Sequence, residues 1–212
     1  MRVFICGSAP LTEQTFEEWE QRTGHRILER YGMSETIINT SNPLQGERIA
    51  GTVGFALPGQ RVRVADEAGV PVPAGEVGMI EVAGPNVFQG YWRMPEKTAE
   101  EIRADGFFIT GDLGVQAADG RLSIVGRSKD LVISGGYNVY PKEVEVALDD
   151  MPHVSESAVI GVPHPDFGEA VVAVIVPVAD EVTQVQVDAA LGDQLARFKQ
   201  PKRVMNVTEL PR

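Results

Sequence analysis

The sequence predicts a mixed fold. An α/β part, built from a strand-and-helix sheet and a small antiparallel β sheet or barrel, precedes a small α+β domain. Three observations carry this expectation. The amino end reads as a short apolar run, a polar loop and an amphipathic helix. From about Gly46 to Gly126, short β-type runs alternate with Pro-Gly, Ala-Gly and Asp-Gly breaks, drawing on 22 Gly and 14 Pro in 212 residues. After the polar stretch Gly126-Arg127-Ser128-Lys129-Asp130 the rhythm changes to strands alternating with helices, which puts a domain boundary there.

Taken in order, Val3 to Cys6 is a strand that stops at Gly7-Ser8-Ala9-Pro10, and Thr12 to Arg22 is the helix. His25 to Glu29 is a second strand, followed by the loop Arg30-Tyr31-Gly32-Met33-Ser34-Glu35-Thr36. Ligands of open α/β sheets collect outside the carboxyl ends of strands, so both loops are site candidates. Gln60 to Ala65, Gly78 to Val82, Phe107 to Thr110 and Leu122 to Val125 are the strands of the β-rich part. Leu131 to Ser134 opens the α+β domain, and a helix begun by Pro141 runs to about Asp149. Strands near Ala158 to Val162 and Ala170 to Val176 follow. Thr183 then caps a helix with Val187, Leu191, Leu195 and Phe198 on one face, and Arg203 to Val207 is the last strand.

Composition narrows the function. The net charge of −11 argues against a nucleic-acid binder, and 43% hydrophobic residues against disorder. The single Cys6 closes no internal disulfide, which fits a reducing, cytosolic setting. No apolar run reaches the roughly 20 residues that span a bilayer, so a soluble protein is expected. G-x-x-x-x-G-K-[ST], G-x-G-x-x-G, H-E-x-x-H and G-x-S-x-G do not occur, and the three histidines are scattered.

The remaining motifs each carry a functional and a plain interpretation. Tyr31 to Thr36 gathers an aromatic, a glycine, hydroxyls and a carboxylate, groups able to stack on a base, admit a ligand to the backbone, bond phosphate and hold Mg2+. Ser34 and Glu35 could equally cap a helix. Asp112, between glycines at a strand end, can accept from both hydroxyls of a ribose or simply from its own turn. Arg127 and Lys129 are phosphate partners or solvated linker charges. Ser134-Gly135-Gly136-Tyr137 is a hairpin able to line a channel, or an ordinary turn ahead of a helix. Arg197, Lys199, Lys202 and Arg203 draw a phosphorylated ligand or complement the end of the preceding helix.

The order of these segments resembles the adenylate-forming acyl-CoA synthetases. Gly7-Ser8-Ala9-Pro10-Leu11, Tyr31-Gly32-Met33-Ser34-Glu35-Thr36, Gly90-Tyr91-Trp92, Thr110-Gly111-Asp112, Gly126-Arg127-Ser128-Lys129-Asp130 and Ser134-Gly135-Gly136-Tyr137-Asn138-Val139-Tyr140-Pro141-Lys142-Glu143 stand in the family's order and spacing. The text around Glu29-Arg30-Tyr31 and Gly84-Pro85-Asn86-Val87-Phe88 is most similar to the malonyl-CoA synthetases of that family.

The resemblance implies an AMP-forming acid-thiol ligase that activates malonate or methylmalonate with ATP and Mg2+ and transfers the acyl group to coenzyme A. It implies that Gly7, Ser8 and Ala9 line the adenine and acyl pocket, that Tyr31 stacks on adenine beside Gly32, and that Ser34 and Thr36 meet phosphate or acyl oxygens. Glu35 would hold Mg2+, Asp112 the ribose with Arg127 beside it, and Arg30 and Met33 the acyl substrate, the guanidinium pairing with the second carboxylate of a diacid. Lys129 would be the pivot of the small domain, and Gly135 and Gly136 would line the pantetheine tunnel. Residues 1–126 would then be the carboxy-terminal part of the large domain, 127–130 the hinge, and 131–212 a small domain cut before its catalytic lysine. The family's phosphate loop and that lysine are missing from these residues, so the chain alone is expected to be inactive. Alternatives are a fatty-acyl or aryl ligase, a non-catalytic nucleotide- or CoA-binding module, and a structural protein without ligand.

Overall fold

The computed structural model describes residues 2–9 and 11–211, so Pro10 of the first loop lies outside the described residues. It divides into two compact units, residues 1–125 and 126–212.

The first unit begins with β1 (Ile5–Cys6), α1 (Glu13–Thr23) and β2 (Leu28–Tyr31). Thr12 caps α1 by accepting from the Thr15 N–H at 3.2 Å, and Gly24 in the left-handed region ends it. Among the helix residues Phe16 is buried, and Trp19 packs edge-on against Phe4 with ring centroids 4.8 Å apart. β1 pairs in parallel with β2, as expected of a strand-helix-strand unit. β3 (Thr40–Ser41) and β4 (Phe55–Ala56) then extend the sheet antiparallel. The second expected strand is displaced. It starts at Leu28 instead of His25 and takes in Arg30 and Tyr31, because the buried ring of Tyr31 extends the pairing to Thr40.

The β-rich part is a four-stranded sheet in the order β5 (Arg61–Ala65), β6 (Val77–Ala83), β7 (Phe108–Gln116) and β8 (Leu122–Arg127). It is open. The barrel alternative is corrected: four short strands leave β5 and β8 as edges, too few to curl round and close. Its core is Val64, Ile80, Val82 and Leu122 with Tyr31 from the other sheet. A helix not expected from the sequence, α2 (Pro95–Glu101), starts on Pro95. Glu81, inside β6, is fully buried. Its carboxylate is neutralised by Arg63 Nε at 2.8 Å and Arg103 Nε at 2.6 Å, and Arg63 lies over the Phe107 ring at 3.7 Å.

In the second unit β9 (Val132–Ser134) and β10 (Tyr137–Val139) form a tight hairpin, with Gly135 and Gly136 both at positive φ. α3 (Pro141–Asp149) covers a sheet ordered β10, β9, β12 (Gly168–Pro177), β11 (Val154–His164), with β13 (Arg203–Asn206) parallel to β12. α4 (Gln184–Leu191) starts from Thr183, which forms a reciprocal cap with Gln186. The expected helical face holds for Val187 and Leu191. Leu195 and Phe198 lie beyond the helix yet pack on the same core, with Val144, Leu148, Val171 and Ile175. No helix of the described residues is long and apolar enough to cross a membrane.

Candidate functional site

In β2, Leu28, Glu29 and Tyr31 are buried and Arg30 is exposed. The Tyr31 hydroxyl donates to Asp112 Oδ2 at 2.5 Å, joining residues 81 positions apart. Tyr31 is 7% and Asp112 8% exposed, so the bond sits at the rim of the core. Asp112 does not end its strand, as expected, but lies inside it. Glu81 of β6 faces Ile109 and Met79 faces Leu113, so β7 carries extra residues between them and bulges there, with Gly111 at φ 77°. Thr110 stabilises the bulge. Its hydroxyl donates to the Ile80 carbonyl at 2.8 Å and accepts from the Asp112 N–H at 3.1 Å. Strand alternation puts the Asp112 carboxylate on the buried side, with Phe108 and Thr110.

The loop after Tyr31 is a tight turn rather than a helix start. The N–H groups of Thr36 and Ile37 both donate to the Met33 carbonyl, at 3.1 and 2.7 Å. Ile37 is held at φ 61°, rare for a β-branched residue. The loop folds so closely onto its own beginning that a Cβ on Gly32 would overlap the Ile37 carbonyl oxygen. Ser34 is exposed, Gly32, Met33 and Glu35 are half-buried, and Thr36 is completely buried with no hydrogen-bond partner for its hydroxyl. Ser34 and Thr36, assigned a common task by resemblance, therefore stand in different surroundings.

Three tethers from the segment after β6 shape this loop. Asn86 Nδ2 donates to the Thr36 carbonyl at 2.7 Å, and the Phe88 N–H donates to the Glu35 carbonyl at 2.8 Å. The Tyr91 hydroxyl lies 3.2 Å from Glu35 Oε1 and 2.7 Å from Glu101 Oε2. Burial, reinforced by the bond to Glu101, pushes the Tyr91 phenol above its ordinary range, so it stays a neutral donor. Sequence reasoning gave Asn86, Tyr91, Glu101 and Thr110 no role. Their types were visible, but each acts through a partner distant in sequence, which spacing does not reveal.

Ser8 and Ala9 are exposed, Ser8 at φ 72°, and Gly7 sits against Arg30. A Cβ on Gly7 would come within 3.0 Å of the Arg30 carbonyl and 3.2 Å of its Cγ, so the glycine leaves room for the arginine stem. Glu29, next to Arg30, has its carboxyl pushed up to about 7, first by burial and then by the charge of Glu13. Arg127 ends β8, Lys129 is exposed in a 3-10 turn, Ser128–Asp130, and Gly135 and Gly136 form the exposed tip of the β9–β10 hairpin. In the basic cluster Lys199 is committed to Glu143, 2.7 Å from Oε1, and Lys202 donates to the Arg197 carbonyl. Arg197 lies in a turn beyond the end of α4 at Leu191, so this bond is not at the helix end that the plain interpretation foresaw.

The sequence profile described as AMP-binding enzyme matches residues 1–92, and that of the AMP-binding enzyme C-terminal domain matches residues 143–212. The chain is 39% identical to a malonate-CoA ligase of Arabidopsis thaliana, over all of this chain and 36% of the relative. A long-chain-fatty-acid-CoA ligase of Yersinia pestis is 37% identical over all of this chain and 38% of its own length. Among solved structures, ATP-bound MatB from Rhodopseudomonas palustris superposes with a TM-score of 0.97 at 60% identity, covering this whole chain and 42% of MatB. The chain thus spans about two fifths of the length of these relatives.

Proposed function

The chain belongs to the AMP-binding enzyme family, the adenylate-forming acyl-CoA synthetases, and from that premise we propose that it carries part of the site of a ligase joining malonate to coenzyme A. The bond from Tyr31 to Asp112 is the observation that carries the nucleotide half of this reading, because it sets an aromatic ring and a ribose-accepting carboxylate side by side. A carboxylate offers about four lone-pair directions, and the Tyr31 hydroxyl takes up one of those of Asp112. Tyr31 and Gly32 take the adenine side, with Gly7, Ser8 and Ala9 forming the opposite backbone, and Ser34 meets phosphate from its exposed position.

Glu35 is the carboxylate suited to Mg2+. Among the described residues no group of three or more His, Cys, Asp or Glu could cage a metal. A single half-buried carboxylate fits the habit of Mg2+, which binds through one or two carboxylates and completes its shell with substrate phosphates and water. When bound there, the ion neutralises charge on the phosphoryl oxygens.

In the reaction, the malonate carboxylate attacks the α-phosphorus of ATP and pyrophosphate leaves. The coenzyme A thiol then attacks the acyl carbonyl and AMP leaves. Arg30, exposed on β2 with its stem against Gly7, pairs with the carboxylate that does not react, and Met33 flanks it. This selects a diacid, because an apolar pocket would leave that second charge unpaired. Lys129 is the pivot between the half-reactions, and Gly135 and Gly136 face the pantetheine arm. A cytosolic location fits the chemistry.

The nucleotide assignment is tested by titrating the 212-residue chain with AMP. Asp112→Asn lowers affinity roughly tenfold or more, the value of a hydrogen bond to a charged acceptor. Equal affinity of variant and parent would remove Asp112 from the site.

A further inference from the structure

We propose that Tyr91 is a positioning residue for Glu35. The proposal rests on Glu35 being the metal-side carboxylate. Glu35 lies in a turn without helix or strand to fix its side chain, between Met33 and the strained Ile37. Its backbone is held by the Phe88 N–H, 2.8 Å from the Glu35 carbonyl. Its carboxylate is met by the Tyr91 hydroxyl, 3.2 Å from Oε1. Residues 88 and 91 thus grip both ends of Glu35 from one segment, and that segment is itself anchored. The Tyr91 ring packs edge-on against Phe88 at 4.7 Å, Phe88 packs on Phe108 at 5.4 Å, and the Tyr91 N–H donates to Thr98 Oγ1 at 2.9 Å.

Glu101 completes the device. The phenol has one proton and two carboxylate acceptors, and Glu101 Oε2 at 2.7 Å is the nearer. Lys97, 3.8 Å from Glu101 and 4.5 Å from the centre of the Tyr91 ring, offsets the second negative charge. Tyr91 is thereby kept in place between two carboxylates, and the proton it shares between them limits where the Glu35 carboxylate can turn. A carboxylate limited to one orientation loses less rotamer freedom when it takes up a cation, so the hydroxyl strengthens binding without touching the ligand.

The test compares AMP binding by the full 212-residue chain with and without Mn2+ as the metal probe. In the parent chain Mn2+ raises AMP affinity, and Glu35→Gln abolishes that gain. Tyr91→Phe keeps the ring packing, retains the metal-free affinity for AMP and loses roughly three- to tenfold of the metal-dependent gain, about the worth of one hydrogen bond. Glu101→Gln, whose amide oxygen still accepts from the phenol, keeps the gain. Equal losses with and without Mn2+ in Tyr91→Phe mark a merely structural residue and overturn the proposal. So does a full metal-dependent gain in Tyr91→Phe beside a lost one in Glu35→Gln, a result that leaves the role of Glu35 standing. If Mn2+ has no effect on the parent chain, the assignment of Glu35 fails and this inference with it.

Discussion

Glu29 shows how much of a residue's chemistry depends on surroundings that its neighbours in sequence do not announce. It stands between Leu28 and Arg30 in an ordinary-looking strand, yet it is buried, Oε1 has no hydrogen-bond partner, and its carboxyl titrates near 7. A carboxyl raised in the folded state favours folding while protonated. Its contribution is whole below the unfolded value near 4.5 and is lost as pH rises toward 7. Urea unfolding of Glu29→Gln should therefore match the parent at pH 4.5 and exceed it above pH 7.5 by on the order of 2 kcal/mol. A constant difference across that range would show that Glu29 titrates normally. At this scale the candidate residues were legible by type: Tyr31, Glu35 and Asp112 all came from their letters. The bond from Tyr31 to Asp112 was not, because it joins two sheets.

Among the elements, the loop after β2 and the bulge in β7 do most to shape the site, and each was read only in part. The loop was seen as a cluster of polar groups. Its turn geometry, with two N–H groups on the Met33 carbonyl, follows from contacts with residues 86 to 91 that no local pattern contains. β7 does not end at Thr110, as expected, but passes through Gly111. A bulge forms there, and the strand runs on to Gln116 because Leu113, Gly114 and Val115 resume pairing with β6. Strong local signals fared better. Pro141 opened α3 at the expected residue, and Thr183 capped α4. The tightness of the loop gives a prediction. Gly32→Ala places a methyl group on the Ile37 carbonyl, a backbone atom that cannot swing aside, and should cost about 2–3 kcal/mol by chemical denaturation. A loss below about 0.5 kcal/mol would mean that the loop relaxes and that its shape is not fixed by this contact.

For the whole molecule, two units with separate cores carry the motifs in family order, and a net charge of −11 surrounds sites read as binding anionic nucleotide and coenzyme. In the proposed reading, binding against that field falls to local groups such as Arg30 and Arg127 and not to the basic cluster as a whole, since Lys199 is already paired with Glu143. The fold class was visible in the sequence because its rhythm of turns is local. The openness of the β sheet was not, since closure depends on how strands curl together. The most direct test grafts residues 1–212 in place of the matching portion of Rhodopseudomonas palustris MatB and measures pyrophosphate release with malonate and with propionate. Turnover of malonate is expected well above that of propionate, with a roughly ten- to hundredfold loss for malonate alone in Arg30→Ala. Equal use of the two acids, or an Arg30→Ala chimera that still prefers malonate, would contradict that expectation.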